Sequence, residues 1–289
     1  MRWPQVKYRI SEDILLIREF YQLSQDEFAN VFGVDKITII RTESKETYPR
    51  EEFMDKVYSY CFEKGLKMNI QKEMLYKDDL SKNHILLTHA SKSGIDGKIS
   101  IDKGRINSDF GKGFYCGESY DKSISFVCRF SSPCVYFIDF TPDNLRGIRF
   151  EVSTEWMLAI AYFRGRLEEY KESKIIKEII GKINKADYIV APIADNRMFQ
   201  IIDTFIDGEI TDEQCKHCLA ATNLGMQYVF KTQKAIDQIS ILERCFVSSK
   251  EKEYYQNEQV RFQKEGEDKS KLARIQYRGK GKYIEEILK

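Results

Sequence analysis

Four short stretches hold the side chains able to do chemistry: THAS at 88–91, DFGKGFYCGESYDKSISF at 109–126, APIADN at 191–196 and QYVFKT at 227–232. His89 brings a nitrogen whose charge can change near neutral pH. Gly111 and Gly113 flank a lysine and lead straight into Phe114 and Tyr115; Ser123 and Phe126 follow one or two helical turns later. The glycines alone would suit a phosphate, and the aromatics a flat ring. The phosphate readings fail on spacing. A dinucleotide fingerprint needs G-x-G-x-x-G between a strand and a helix, whereas the glycines here are 111, 113 and 117 and the FYC segment is itself strand-like. A Walker loop needs Ser or Thr directly after its lysine. With both phosphate patterns rejected, lone glycines like these are often plain turn residues.

The order of these motifs resembles ADP-ribosyltransferases of the His–Tyr–Glu class, the diphtheria-toxin and poly-ADP-ribose-polymerase type. The likeness covers residues 84–240 and is strongest in the middle motif, where Gly-Lys-Gly, an aromatic and Tyr precede Lys-Ser and a further aromatic. The chain also looks like an allied bacterial family of unknown function with HGS-like, DFGKGFY, GPVADD-like and QxVFKT-like motifs.

The resemblance implies that NAD is the substrate and that His89, Tyr115 and Gln227 hold the catalytic positions. His89 would bond a ribose hydroxyl, and the backbone at Ala90 the nicotinamide carboxamide. Ser91 would lie near the adenosine end and Ser123 would bond the carboxamide. Tyr115 and Phe126 would sandwich the ring, with stacking worth ~0.5–1.5 kcal/mol per aromatic pair. Asp109, Gly111, Gly113 and Phe114 complete the implied binding set. Gln227 departs from the class, which has Glu there. Breaking the bond to nicotinamide builds an oxocarbenium-like centre, and an amide lends that centre no charge. Two readings stay open: mono-ADP-ribosyl transfer, with the acceptor or one of Glu118, Asp109 and Asp195 supplying the base, or NAD binding without chemistry. The acceptor would be a protein, a nucleic acid or a small molecule.

The elements that must position these residues can be read from periodicity. Residues 85–89, 134–140, 187–193, 227–232 and 239–246 are short, β-branched and aromatic, as strands are. Residues 154–165 have helical periodicity. Thr211 and Gln214 form a capping box opening a helix that closes at Gly225. Irregular alternation favours an α+β domain. By spacing with Ile124 and Val127, Phe126 alone would be core; Asp195 alone would be a helix cap.

Residues 10–65 read as consecutive helices. Within them, LSQDEFANVFGVDKITIIRTESKETYP resembles a Cro/repressor-type helix-turn-helix. Ser24 and Glu27 form a capping box; Phe28, Ala29 and Val31 supply an inner face; Gly33 makes the turn and Asp35 caps the second helix. The resemblance implies DNA contacts from Gln25, Lys36, Ile37, Thr38 and Arg41, with Ile40 also outward. Apolar Ile37 and Ile40 are poor base readers, Lys45 stands at the family's usual glycine, and residues 1–65 carry 10 Lys and Arg against 12 Asp and Glu. A docking surface for an antitoxin, another protein partner or a second copy is the competing reading.

The expected organisation is a helix-turn-helix domain at 1–66, a connector at 67–83, an ADP-ribosyltransferase-like split-sheet domain at 84–248 and a charged tail at 249–289, either a solvated helix or a disordered arm. Such a fusion would suit a toxin of a toxin–antitoxin or phage-defence system; the alternative is a DNA-binding transcriptional regulator whose C-terminal domain binds NAD or ADP-ribose without catalysis. The net charge of +1 gives no global field for nucleic acid or membrane. No apolar run approaches the ~18 residues of a span, and the N-terminal 20 residues lack a signal-peptide pattern. Seven irregularly spaced cysteines point to reduced thiols in a cytoplasm. Cys215 and Cys218 have metal-ligand spacing but no second pair, so no metal is expected.

Overall fold

A computed structural model describes residues 8–221 and 225–289. Five helices come first: α1 (Ile10–Tyr21), α2 (Gln25–Phe32), α3 (Lys36–Glu43), α4 (Glu51–Glu63) and α5 (Met68–Asp79). The first four enclose a core containing Ile14, Ile17, Phe28, Ile39, Met54 and Val57. Ser24 and Glu27 make both bonds of their capping box, and Gly33 ends α2 at φ +67°. Val31 is exposed and Phe32 takes the inner place assigned to it. At about 100° per residue, Phe28, Ala29 and Phe32 share one face, and Val31 is turned away from it. Lys45 adopts φ +62°, the left-handed conformation that a glycine takes without strain.

The sheet domain continues with β1 (Ile85–Ser91), β2 (Phe114–Gly117), α6 (Tyr120–Val127), β3 (Cys134–Phe140), β4 (Gly147–Arg149), α7 (Thr154–Phe163) and α8 (Lys174–Asn184). Then come β5 (Tyr188–Pro192), α9 (Asn196–Ile206), α10 (Asp212–Ala220), β6 (Met226–Phe230), α11 (Gln233–Ile236) and β7 (Ile239–Cys245). The chain is α+β, with one seven-stranded sheet ordered β4-β5-β6-β2-β1-β3-β7, antiparallel except for β4 with β5. One side of the sheet buries Ile189, Val229 and Tyr115 against Trp156, Ile160 and Phe205. The other collects Leu87, Phe114, Tyr136, Phe140 and Phe230 beneath Ile95, Ile99 and Ile101 of the long β1–β2 connection.

Two stretches differ from expectation. Residues 67–83 are mostly the helix α5, not a plain connector, because Asn69 and Lys72 find buried partners on the sheet domain. The charged end is a helix, one of its two readings, but not a free-standing one: it forms α12 (Ser249–Gln276), packed on α4, α6 and α10, followed by α13 (Ile284–Leu288), which buries Ile284 and Leu288. The seven cysteines are free and buried. Of the CxxC pair, Cys218 donates to Ser270 O and Cys215 to Ile201 O, so both thiols serve helix packing. No helix among the described residues is long and apolar enough to cross a membrane.

Candidate functional site

The motif strands are neighbours. β1 carries His89, β2 carries Tyr115 and β6 carries Gln227, and β6, β2 and β1 lie side by side. β1 and β2 pair at a single position, Thr88 with Gly117, whereas β1 pairs with β3 along its whole length. Past Thr88 the two strands part, and the imidazole of His89 enters the gap, with Nδ1 2.7 Å from Tyr115 O. A carbonyl only accepts, so Nδ1 carries the proton and Nε2 presents a lone pair. Burial lowers the pKa of His89 and the bond to Tyr115 opposes that; the net shift is downward, so the ring is neutral at pH 7. Phe114 stacks on it at 4.4 Å.

Strand alternation then separates the three expected catalytic side chains. Tyr115 and Gln227 point to the face covered by α7 and α9, whereas His89 lies with Phe114 at the opposite face. They share three strands and the point where the sheet opens, not one face. The phenol of Tyr115 donates to Gly111 O and accepts from Phe110 N, tying down its own loop.

Beneath that loop is a buried polar cluster. Asp109 accepts from Arg164 Nε at 3.1 Å and Nη2 at 2.5 Å, from Ala194 N at 3.0 Å and from Gln227 Nε2 at 2.8 Å. Gln227 Nε2 also donates to Pro192 O at 3.1 Å, and Arg164 Nη2 to Ala194 O at 2.6 Å. The second, third and fourth motifs therefore meet here. Lys231 closes the loop from the other side, donating to Phe110 O and Lys112 O; burial lowers its pKa to about 8. The sequence reasoning did not single out Arg164 or Lys231. A lone arginine ending the apolar run WMLAIAYF was the available signal, since such a charge needs a buried partner.

Gly111 and Gly113 are positions where the fold itself has no room for a side chain. Gly111 turns at φ +71°, where a Cβ would also meet the Phe163 ring at 2.9 Å; a Cβ on Gly113 would meet Phe230 O at 2.9 Å. Gly117 makes room for the Ser123 hydroxyl, which is buried and shares a 2.6 Å hydrogen bond with Thr88 Oγ1. Ser91 accepts from Ser93 N and donates to Gly94 O, so it shapes a turn. Ala90 is half-buried at the opening. Phe126 is 43% exposed on α6, so the core reading of its spacing fails and its ring is available. Of the other carboxylates, Asp195 caps α9 through Met198 N. Glu118 is exposed and accepts from Met226 N beside Gln227. Two shallow grooves, of about 270 and 260 Å³, are lined instead by residues such as Asp55 and Lys252, and Leu158 and Ile175.

On the helical module, Lys36, Ile37 and Arg41 are exposed on α3, Thr38 and Ile40 are half-buried, and the two cations lie 4.0 Å from Asp26 and Glu46 respectively. Gln25 is not presented to a phosphate: its amide donates to Glu43, which is ion-paired with Arg18 at 2.5 Å.

Residues 85–241, more than half of the chain, match the family described as a protein of unknown function (DUF3990). No curated protein and no solved structure matches.

Proposed function

The chain belongs to the DUF3990 family, and we propose that residues 85–241 form an NAD-binding domain of ADP-ribosyltransferase type that transfers a single ADP-ribosyl unit. The observation that carries this reading is the parting of β1 from β2 directly after Thr88, with a neutral His89 held in the gap. Nε2 of His89, left free of the bond that Nδ1 makes, would accept from a ribose hydroxyl. The edge of β1 that β2 has left offers backbone at Ala90 to a carboxamide, and the exposed ring of Phe126 offers a stacking face to nicotinamide. In the transfer the anomeric carbon loses its bond to nicotinamide and gains one to the acceptor, whose proton passes to a base. Asp109 is fully hydrogen-bonded and Asp195 is a cap, which leaves Glu118 or the acceptor itself for that task.

Labelled NAD incubated with protein and cell lysate tests the reading. Label transfer or nicotinamide release is expected, and each should fall at least about tenfold in His89→Ala and in Phe126→Ala, a loss of roughly 1.4 kcal/mol. An absence of NAD binding by calorimetry would overturn it. A second reading, an NAD sensor without turnover, gains support from the amide at Gln227 and predicts saturable binding with no nicotinamide released. The helical module is proposed to contact DNA, an antitoxin or a second copy through α3, and the biological setting to be toxin–antitoxin or phage defence, by analogy alone.

A further inference from the structure

The polar cluster fixes which way round the side chain of Gln227 stands. Both hydrogens of its amide are committed, one to Asp109 Oδ2 and one to Pro192 O. Asp109 cannot turn away, because the Arg164 guanidinium grips its other oxygen through two nitrogens and Ala194 N bonds the same Oδ2. Arg164 is itself held by Ala194 O and lies over the Phe199 ring at 4.3 Å. The nitrogen of Gln227 therefore faces inward, and its oxygen is the end left for anything outside the cluster. A carboxylate at 227 would set acceptor against acceptor at both contacts and place two like charges about 3 Å apart, a spacing at which both cannot ionise.

We propose that Asp109, clamped by Arg164, is a positioning residue that orients Gln227 so that Oε1 is the acceptor for a ribose hydroxyl of NAD. Its ligand rests on the transferase reading above; its geometry does not. The carboxylate that the His–Tyr–Glu class carries on this strand stands here one hydrogen bond further back, neutralised by an arginine. The ionisable groups facing the unit are Asp109 from the loop before β2, Arg164 from the end of α7, and Tyr115 from β2, which senses both charges; α9 contributes its cap Asp195, bonded to Met198 N.

Gln227→Glu is the diagnostic variant. The carboxyl it introduces can donate to Asp109 Oδ2 when protonated and cannot when ionised, so the two carboxyls should share one proton. The expected result is NAD binding at least about tenfold weaker than wild type at pH 8, recovering to within about threefold near pH 5.5, with melting temperature following the same trend relative to wild type. In Asp109→Asn/Gln227→Glu the extra pH dependence should vanish, because the second charge is gone. Wild-type affinity for Gln227→Glu at pH 8, or a pH dependence that survives Asp109→Asn, overturns the proposal. Should the double variant fail to fold, the pH profile of Gln227→Glu alone decides. If wild type binds no NAD, the transferase reading fails and the ribose role with it, while the melting profiles still judge the Asp109–Gln227 pairing.

Discussion

Two buried ionic clusters can be compared. At the seam between the helical module and the sheet, Lys72 of α5 bridges Asp13 of α1 and Glu243 of β7 at 2.5 and 2.6 Å. Burial works against its charge, but the two carboxylates outweigh that and raise its pKa. Tyr58 donates to Asp13 and Tyr76 to Glu243. Under the motif strands, Arg164 holds Asp109, and Asp109 holds Gln227. The seam uses a compact ammonium to join three elements, and every contact it makes faces inward. The site uses a planar guanidinium, whose fork fixes orientation as well as charge, and the amide it orients spends both its hydrogens on the cluster, leaving its oxygen out of those bonds. Burial of charge is common to both; on the proposal above, the oxygen of Gln227 is what would make the second cluster a site and not a weld.

That contrast breaks if changes at the seam alter NAD binding as much as changes at the site. The largest effect is expected for Lys72→Met, which leaves two carboxylates buried without their cation and should cost about 3–5 kcal/mol in denaturant unfolding. Asp13→Asn and Glu243→Gln added to it should recover much of the loss, and NAD affinity of the folded fraction should stay within about twofold of wild type.

Next is the pH dependence set by Glu251, also at the seam. Burial raises its pKa to about 7, opposed by bonds to Tyr120 and Asn69. Glu251 Oε1 and Asn69 Oδ1 have no hydrogen-bond partner among the described residues, which suits a carboxyl that keeps its proton. The folded form then binds more protons than the unfolded one between its ordinary carboxylate pKa and about 7. Stability from this residue is therefore full below that window and lost as pH rises through it, by up to about 3 kcal/mol. Unfolding of Glu251→Gln across pH 4.5–8 should show a flatter profile than wild type.

Smallest in stability is Arg164→Lys, which keeps the charge but loses the fork; about 1–2 kcal/mol is expected. Its NAD affinity should nevertheless fall more than that of Lys72→Met. The reverse order would mean that the site cluster is only a second weld.

Much of the scaffold was legible from pattern. Two capping boxes, Ser24–Glu27 and Thr211–Gln214, stand where local chemistry alone puts them. Strand runs such as CVYFIDF coincide with β3 residue for residue. β4 escaped notice because three residues carry no period. The site was legible only as a set of motifs. Which face of a strand His89 and Tyr115 take depends on register, and register is a property of partners far along the chain. For the same reason Arg164 looked like a helix end and Gln25 like a phosphate ligand, although each answers to a carboxylate distant in sequence, Asp109 and Glu43.

Phe246, directly after the last strand, inserts into the core of the helical module, with its ring 5.2 Å from Tyr8 and 5.0 Å from Tyr58. Residues 10–63 therefore leave the ribosome before the side chain that completes their core, which follows nearly two hundred positions later. At roughly 5–20 residues per second the nascent helices wait about ten seconds or longer with an apolar hole open. The order of synthesis is thus not the order of completion: the helical module is made before the sheet and sealed after it.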